Sequence, residues 1–124
     1  MTKPLAVIFF ENLVIGTQLV NRLANTGYRV SQVTAAAAVV SQVEKEMPLV
    51  LFIDAEAKGA DMCDTITRIR KTPATAHIPI IAVACDKNTS LQTRARAAGA
   101  ALVASDTAFL DQLPALLDQA LALD

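Results

Sequence analysis

Glycine, histidine and tryptophan are scarce in this sequence, and each scarcity excludes a class of function. The 124 residues include four glycines, one histidine and no tryptophan. Glycine-rich loops let backbone amides approach the phosphates of a nucleotide, whereas the turn after the first apolar segment contains only Gly16. We therefore expect no dinucleotide or flavin site. The lone His77 has no nucleophile beside it in the pattern, so we predict a loop residue and a protein that is not an enzyme.

The chain also lacks an excess of charge of either sign. Eleven basic and twelve acidic residues give a net charge of −1, which leaves no basic patch for nucleic acid or for a membrane surface. No apolar run approaches the ~18 residues of a membrane helix. The run after Lys3 stops at Glu11 without the cleavage site of a signal peptide. We therefore predict a cytoplasmic protein that binds neither nucleic acid nor membrane.

Cysteine is represented by two residues, Cys63 and Cys85. They are far apart and stand in no spacing typical of a metal or redox site. The sequence predicts two inert thiols in a reducing compartment.

Apolar residues are abundant, at 53% of the chain, and they fall into short runs that alternate with segments of helical period. The predicted strands are Leu5–Phe10, Tyr28–Val33, Leu49–Asp54, Ile78–Ala84 and Ala101–Ala104. The predicted helices follow them over residues 13–26, from a cap at Thr34 to Met47, over 61–71, over 90–98, and from a cap at Asp111 to Leu121. We interpret the whole of residues 1–124 as one domain.

Strands that are apolar on both faces and separated by helices indicate a parallel sheet covered on both sides. In open sheets of this kind, functional groups gather at the carboxyl ends of the strands. Asp54 ends the most apolar strand and therefore stands where chemistry is expected.

Several segments together resemble the receiver domain of bacterial response regulators, over the whole chain. They are Pro48-Leu-Val-Leu-Phe-Ile-Asp54, Gly59-Ala-Asp61, Ile69-Arg-Lys-Thr-Pro-Ala-Thr-Ala-His-Ile-Pro-Ile-Ile81, Gly27-Tyr28 and Ala97-Ala-Gly-Ala100. The resemblance implies a flavodoxin-like (βα)5 three-layer fold with strand order 2-1-3-4-5. It also implies two-component (phosphorelay) signalling, with Asp54 as the phosphoacceptor and a histidine kinase or a downstream effector as partner.

The resemblance implies a Mg²⁺ site as well, formed by Glu11, Asp54 and the backbone carbonyl of Glu56. Other family positions are altered. Phe10 stands where the first metal-binding acid is expected, and Ala84 where a hydroxyl residue contacts the phosphoryl group. Val103 replaces the aromatic switch residue, Asp106 the lysine that neutralises phosphoryl oxygens, and Lys58 a proline.

Three functions follow as hypotheses. The first is an atypical receiver, or pseudo-receiver, that works as a protein-interaction module largely independent of phosphorylation. The second is a conventional Mg²⁺-dependent phosphoprotein modified on Asp54, with Glu11 completing the metal site. The third is a ligand-sensing domain, because Phe10 and Ala84 make the mouth of the site more apolar.

Overall fold

A computed structural model describes residues 4–59, 61–106 and 108–122. Lys3, Ala60 of the Gly59–Asp61 segment and Asp124 lie outside the described residues. The architecture is a five-stranded parallel sheet in the order β2-β1-β3-β4-β5 with helices between consecutive strands. This confirms the flavodoxin-like fold and the strand order that the sequence predicts.

The strands are close to the predicted apolar runs but shorter at several ends. They are β1 (Leu5–Phe9), β2 (Arg29–Val33), β3 (Val50–Asp54), β4 (Ile80–Ala84) and β5 (Leu102–Ser105). β1, β3 and β4 are flanked by strands on both sides and are almost entirely buried. β2 is at an edge and is the most exposed of the five. Position in the sheet therefore explains why β2 mixes polar with apolar residues.

The helices also follow the prediction, except that the second begins well after Thr34 and the fifth begins two residues after Asp111. They are α1 (Leu13–Asn25), α2 (Val39–Glu46), α3 (Met62–Lys71), α4 (Thr89–Ala98) and α5 (Leu113–Ala122). α2 does not begin from a cap at Thr34. A short 3₁₀ turn, Ala36–Ala38, precedes it, and neither this turn nor α2 has a side-chain cap. Ala35, directly after Thr34, has an extended backbone with φ −130° and ψ 133°, so no helix starts from Thr34.

Two apolar clusters cover the two faces of the sheet. One joins β1, β3 and β4 to α2, α3 and α4 and includes Phe9, Ile53 and Ala84. The other joins the sheet to α1 and α5 and includes Phe52 and Phe109. Successive residues of a strand point to opposite faces, so neighbouring residues of β4 belong to different clusters: Val83 to the second and Ala84 to the first.

Within the described ranges, every helix is too short or too polar to span a bilayer.

Candidate functional site

A cavity of about 350 Å³ opens at the carboxyl edge of the sheet, where the sequence places the site. Four of its lining residues carry a carboxylate, and none is basic. The lining residues are Phe10, Glu11, Asn12, Ile15, Asp54, Glu56, Val83 and Asp106. The fold thus brings together most of the candidate residues, which come from the ends of four strands.

Asp54 is the last residue of β3, and its side chain is partly buried at the centre of this site. Its Oδ1 atom accepts a hydrogen bond from the Glu56 amide at 3.1 Å, and its Oδ2 atom accepts one from the Glu11 amide at 3.3 Å. Burial raises the pKa of the Asp54 carboxyl, the two amides lower it, and the charges of Glu11 and Glu56 raise it further. The net shift is upward, so the environment disfavours the charged form.

Glu11 binds the loop that follows Asp54. Its two carboxylate oxygens accept hydrogen bonds from the backbone amides of Lys58 and Gly59, at 2.8 and 2.9 Å. A Cβ on Gly59 would lie 3.2 Å from Glu11 Oε2, so glycine gives the carboxylate its room. The side chain of Asn12, rather than Glu11, caps α1 by accepting from the amides of Val14 and Ile15. Glu11 is therefore free to hold the β3–α3 loop.

Glu56 makes a second link, between the β3–α3 loop and the loop after β4. Its Oε2 atom accepts a hydrogen bond from the Cys85 amide at 2.9 Å, and Oε1 accepts one from the Asn88 side chain at 3.4 Å. Asp54, Glu11 and Glu56 together connect three loops through backbone amides. Such bonds fix loop geometry and offset part of the repulsion among the acids.

Phe10 fills space at the base of the cavity. It is only 4% exposed, and its ring stacks on that of Phe109 with centroids 5.8 Å apart and planes 8° apart. Phe109 lies in the loop between β5 and α5 and is fully buried. Phe10, which stands where the resemblance places a metal-binding acid, thus belongs to the apolar cluster that joins the sheet to α1 and α5.

Among the other altered positions, Ala84, Val103 and Asp106 have different surroundings. Ala84 is fully buried and faces the side of the sheet that α2, α3 and α4 cover. Val83 therefore lines the cavity instead. Val103 is partly buried against the apolar cluster on that same side of the sheet. Asp106 lines the cavity, and its Oδ1 atom is buried without a hydrogen-bond partner among the described residues.

Sequence reasoning missed the loop links and the aromatic stack. Phe109, Asn88 and the amides of Lys58 and Gly59 were not singled out, because each contacts its partner across dozens of residues. The one local signal was Gly59, since an isolated glycine often marks close approach of another group.

Comparison with known proteins finds likeness in structure only. No protein-family model matches the chain, and no curated protein sequence matches it significantly. A candidate response regulator of Chloroflexus aurantiacus superposes with a TM-score of 0.90 at 21% identity, covering 98% of this chain and 99% of that one.

Two receiver domains are also similar in structure. One belongs to the sensor histidine kinase PA1611 of Pseudomonas aeruginosa, whose structure has a magnesium ion in the active-site cleft; its TM-score is 0.88 at 19% identity, over 98% of this chain and 99% of that one. The other is from NtrX of Brucella abortus, with a TM-score of 0.84 at 16% identity, over 96% and 99% of the two chains. This chain therefore has the fold of response-regulator receiver domains.

Proposed function

We propose that this chain is an atypical receiver domain that acts in two-component signalling as a protein-interaction module, without requiring phosphorylation. The observation that carries the proposal is the charge of the cavity around Asp54: four carboxylates line it and no lining residue is basic. Transfer of a phosphoryl group to Asp54 would bring further negative charge into this cavity. Catalysis of that transfer depends on positive groups that compensate the charge.

Asp106 makes the shortage of positive charge in the cavity greater. It stands where the resemblance places a lysine, so the local charge differs by two units. At ~4 Å and an effective dielectric constant of ~20, each unit is worth up to ~4 kcal/mol. A barrier only ~2.7 kcal/mol higher would slow transfer about a hundredfold.

The donor atoms in the cavity suit Mg²⁺, because carboxylate oxygens are the ligands that this ion prefers. Glu11 and Asp54 would hold it, with the backbone carbonyl of Glu56 as a further oxygen ligand. The ion would supply positive charge for phosphoryl oxygens. The carboxylates of Asp54 and Glu11 already accept hydrogen bonds from backbone amides. These bonds keep the oxygens in fixed positions.

The residues that the resemblance expects to respond to phosphorylation of Asp54 are also altered. Ala84 has no hydroxyl group to contact a phosphoryl group. It also faces away from the cavity, into the apolar cluster beneath α2, α3 and α4. Val103 has no ring to change position. A response to modification of Asp54 would have to use other residues, which supports a constitutive binding surface.

The test is intact mass after incubation with acetyl phosphate and Mg²⁺. Wild type is compared with Asp54→Ala and with Asp64→Ala, which removes an exposed acid on α3 outside the cavity. We expect no phosphate-sized gain in any of the three, with folding verified by circular dichroism. A gain in wild type and Asp64→Ala, absent from Asp54→Ala, would show that Asp54 accepts a phosphoryl group with Glu11 sufficient for the metal, and would favour the conventional phosphoacceptor.

A measurement of signalling in cells tests the same proposal. We expect Asp54→Ala to retain signalling in a strain that depends on this protein. Loss of signalling by a folded Asp54→Ala variant, with Asp64→Ala unaffected, would contradict a phosphorylation-independent role.

A further inference from the structure

The ends of β4 and β5 bring three metal-ligating side chains together beside the Asp54 cavity, to which Asp106 also contributes. The strands are parallel, with Ala84 opposite Ser105, and the Asp106 amide donates to the Ala84 carbonyl at 3.0 Å. Cys85 and Asp106, the residues that follow the two strands, are therefore neighbours. The Sγ atom of Cys85 and one carboxylate oxygen from each of Asp86 and Asp106 all lie within 4.8 Å of one another.

An independent observation is that one carboxylate oxygen of Asp106 lacks a hydrogen-bond partner in the part of the chain that the structure describes. The Oδ1 atom of Asp106 is buried, and no hydrogen-bond donor reaches it among the described residues. A buried carboxylate oxygen without a partner is costly, because it has lost its hydration and gained nothing in return. A cation bound by the cluster would provide the missing compensation.

The backbone at Cys85 is fixed before any ion binds. Its amide donates to Glu56 at 2.9 Å, and its carbonyl accepts from the Asn88 amide at 2.9 Å and from the Gln92 side chain at 3.0 Å. A ligand held in place by its neighbours loses little conformational freedom on coordination. Cys85 is also only partly buried, so an ion can reach it.

We propose that Cys85, Asp86 and Asp106 form a binding site for a divalent transition-metal ion of the Zn²⁺ or Co²⁺ type. A thiolate ligand favours such ions over Mg²⁺ and Ca²⁺, which prefer oxygen. The three side chains supply one sulfur and two oxygens, and a water molecule completes a tetrahedral set. On binding, the Cys85 thiol releases its proton to solvent, and the thiolate electron pair forms the metal–sulfur bond. The ion would join the loops after β4 and β5.

The test is a titration of the tag-free, reduced protein with Co²⁺, followed by absorbance. Cobalt bound to a thiolate gives a charge-transfer band in the near ultraviolet and ligand-field bands in the visible range. We expect these bands to saturate at one equivalent in wild type and to disappear on addition of Zn²⁺. Absence of a thiolate–cobalt band in folded wild type would overturn the proposal.

Variants separate this site from other cysteine chemistry. Cys85→Ser should lose the charge-transfer band, and Cys63→Ser, which alters the buried thiol of α3, should keep it. Asp106→Asn, which replaces a charged ligand by a neutral one, should weaken Co²⁺ binding by about tenfold or more, at least as much as the loss of an outer-shell partner does. A band that persists in Cys85→Ser would contradict the assignment.

The outcome does not depend on phosphorylation of Asp54. Asp54→Ala should bind Co²⁺ as wild type does, and an excess of Mg²⁺ should leave the bands unchanged. Displacement of Co²⁺ by Mg²⁺, or loss of the bands in Asp54→Ala, would show that the ion occupies the Asp54 cavity instead and would overturn the proposal.

Discussion

Asp54 ends a buried strand, and its carboxylate lies in a cavity with three other carboxylates. Burial and the neighbouring acids raise its pKa above the ordinary value of 3.8, although two backbone amides act in the opposite direction. The folded protein therefore carries a cost at neutral pH that the unfolded chain does not have. Groups with perturbed pKa values are often found at functional sites, which is consistent with the prediction that Asp54 belongs to one.

Replacing Asp54 should expose this cost as a pH dependence. Between the unfolded pKa and the raised folded pKa, the folded state binds more protons, so the free energy of unfolding falls as pH rises. Asp54→Asn does not titrate there. We expect the stability of Asp54→Asn relative to wild type to increase as pH rises through the interval between these two pKa values, measured by urea denaturation at a series of pH values.

Asp54→Ala provides the control for this slope. Asparagine and alanine differ in their hydrogen bonds to the Glu11 and Glu56 amides, so the two variants should differ in absolute stability. Neither side chain titrates, and both should show the same change with pH relative to wild type. A relative stability that decreases toward high pH in both would contradict the raised pKa.

Among the structural elements, α2 ends in an unusual way. Its C-terminal cap is Met47, with φ 48° and ψ 63°, the one non-glycine residue with positive φ among those described. The left-handed conformation costs a residue with a Cβ roughly 1–2 kcal/mol. The Met47 side chain is 44% exposed and so recovers only part of that cost by packing. Pro48 follows at once and prevents the helix from continuing.

A pair of substitutions at this cap isolates the backbone cost. Met47→Ala and Met47→Gly both remove the side chain, but only glycine adopts positive φ without strain. We expect Met47→Gly to be more stable than Met47→Ala by about 1 kcal/mol. The measurement is the free energy of unfolding from urea denaturation.

Lys45, an exposed residue within α2, serves as the matched control. In a helix interior, alanine is more stable than glycine by about 1 kcal/mol. Lys45→Ala should therefore be more stable than Lys45→Gly, the reverse of the order at Met47. The same order at both positions would show that the left-handed cap is not a source of strain.

For the molecule as a whole, the important feature is an uneven distribution of charge. The net charge is only −1, yet four carboxylates line one cavity without a basic partner among its lining residues. The amides that bind Asp54, Glu11 and Glu56 offset part of the repulsion. Asp106, with a buried oxygen lacking a partner, remains the least compensated of the four.

Reversing the charge of Asp106 should stabilise the domain. In Asp106→Lys, three carboxylates would face one ammonium group in the cavity. We expect the free energy of unfolding to rise by about 1 kcal/mol in low salt, with a chelator present to remove metal ions, and the gain to shrink at about 1 M salt. Urea denaturation at the two salt concentrations measures both effects.

Asp118→Lys is the matched control, because it makes the same charge change on the exposed face of α5. It should change stability less than Asp106→Lys does. Equal effects would mean that the gain arises from overall charge and not from the cavity.

Much of the fold follows from local patterns that the sequence displays directly. The run Leu49–Asp54 is apolar on both faces, which requires a strand covered on two sides, and the structure has it at the centre of the sheet. Thr34 shows the limit of such reasoning: a capping residue was present, but the alanines after it formed a 3₁₀ turn first. Propensity is a weak preference that local packing overrides.

The candidate site was predictable in its position but not in its contacts. By itself, the sequence determined that Asp54, Glu11 and Asp106 meet at one edge, because parallel strands share a carboxyl end. Only the tertiary structure decided that Glu11 holds the Lys58 and Gly59 amides and that Phe10 stacks on Phe109. The same holds for the approach of Cys85 to Asp106. Hydrophobic period is a local property of the chain, whereas a side chain's partner depends on which distant loops the packed sheet brings within a few ångströms.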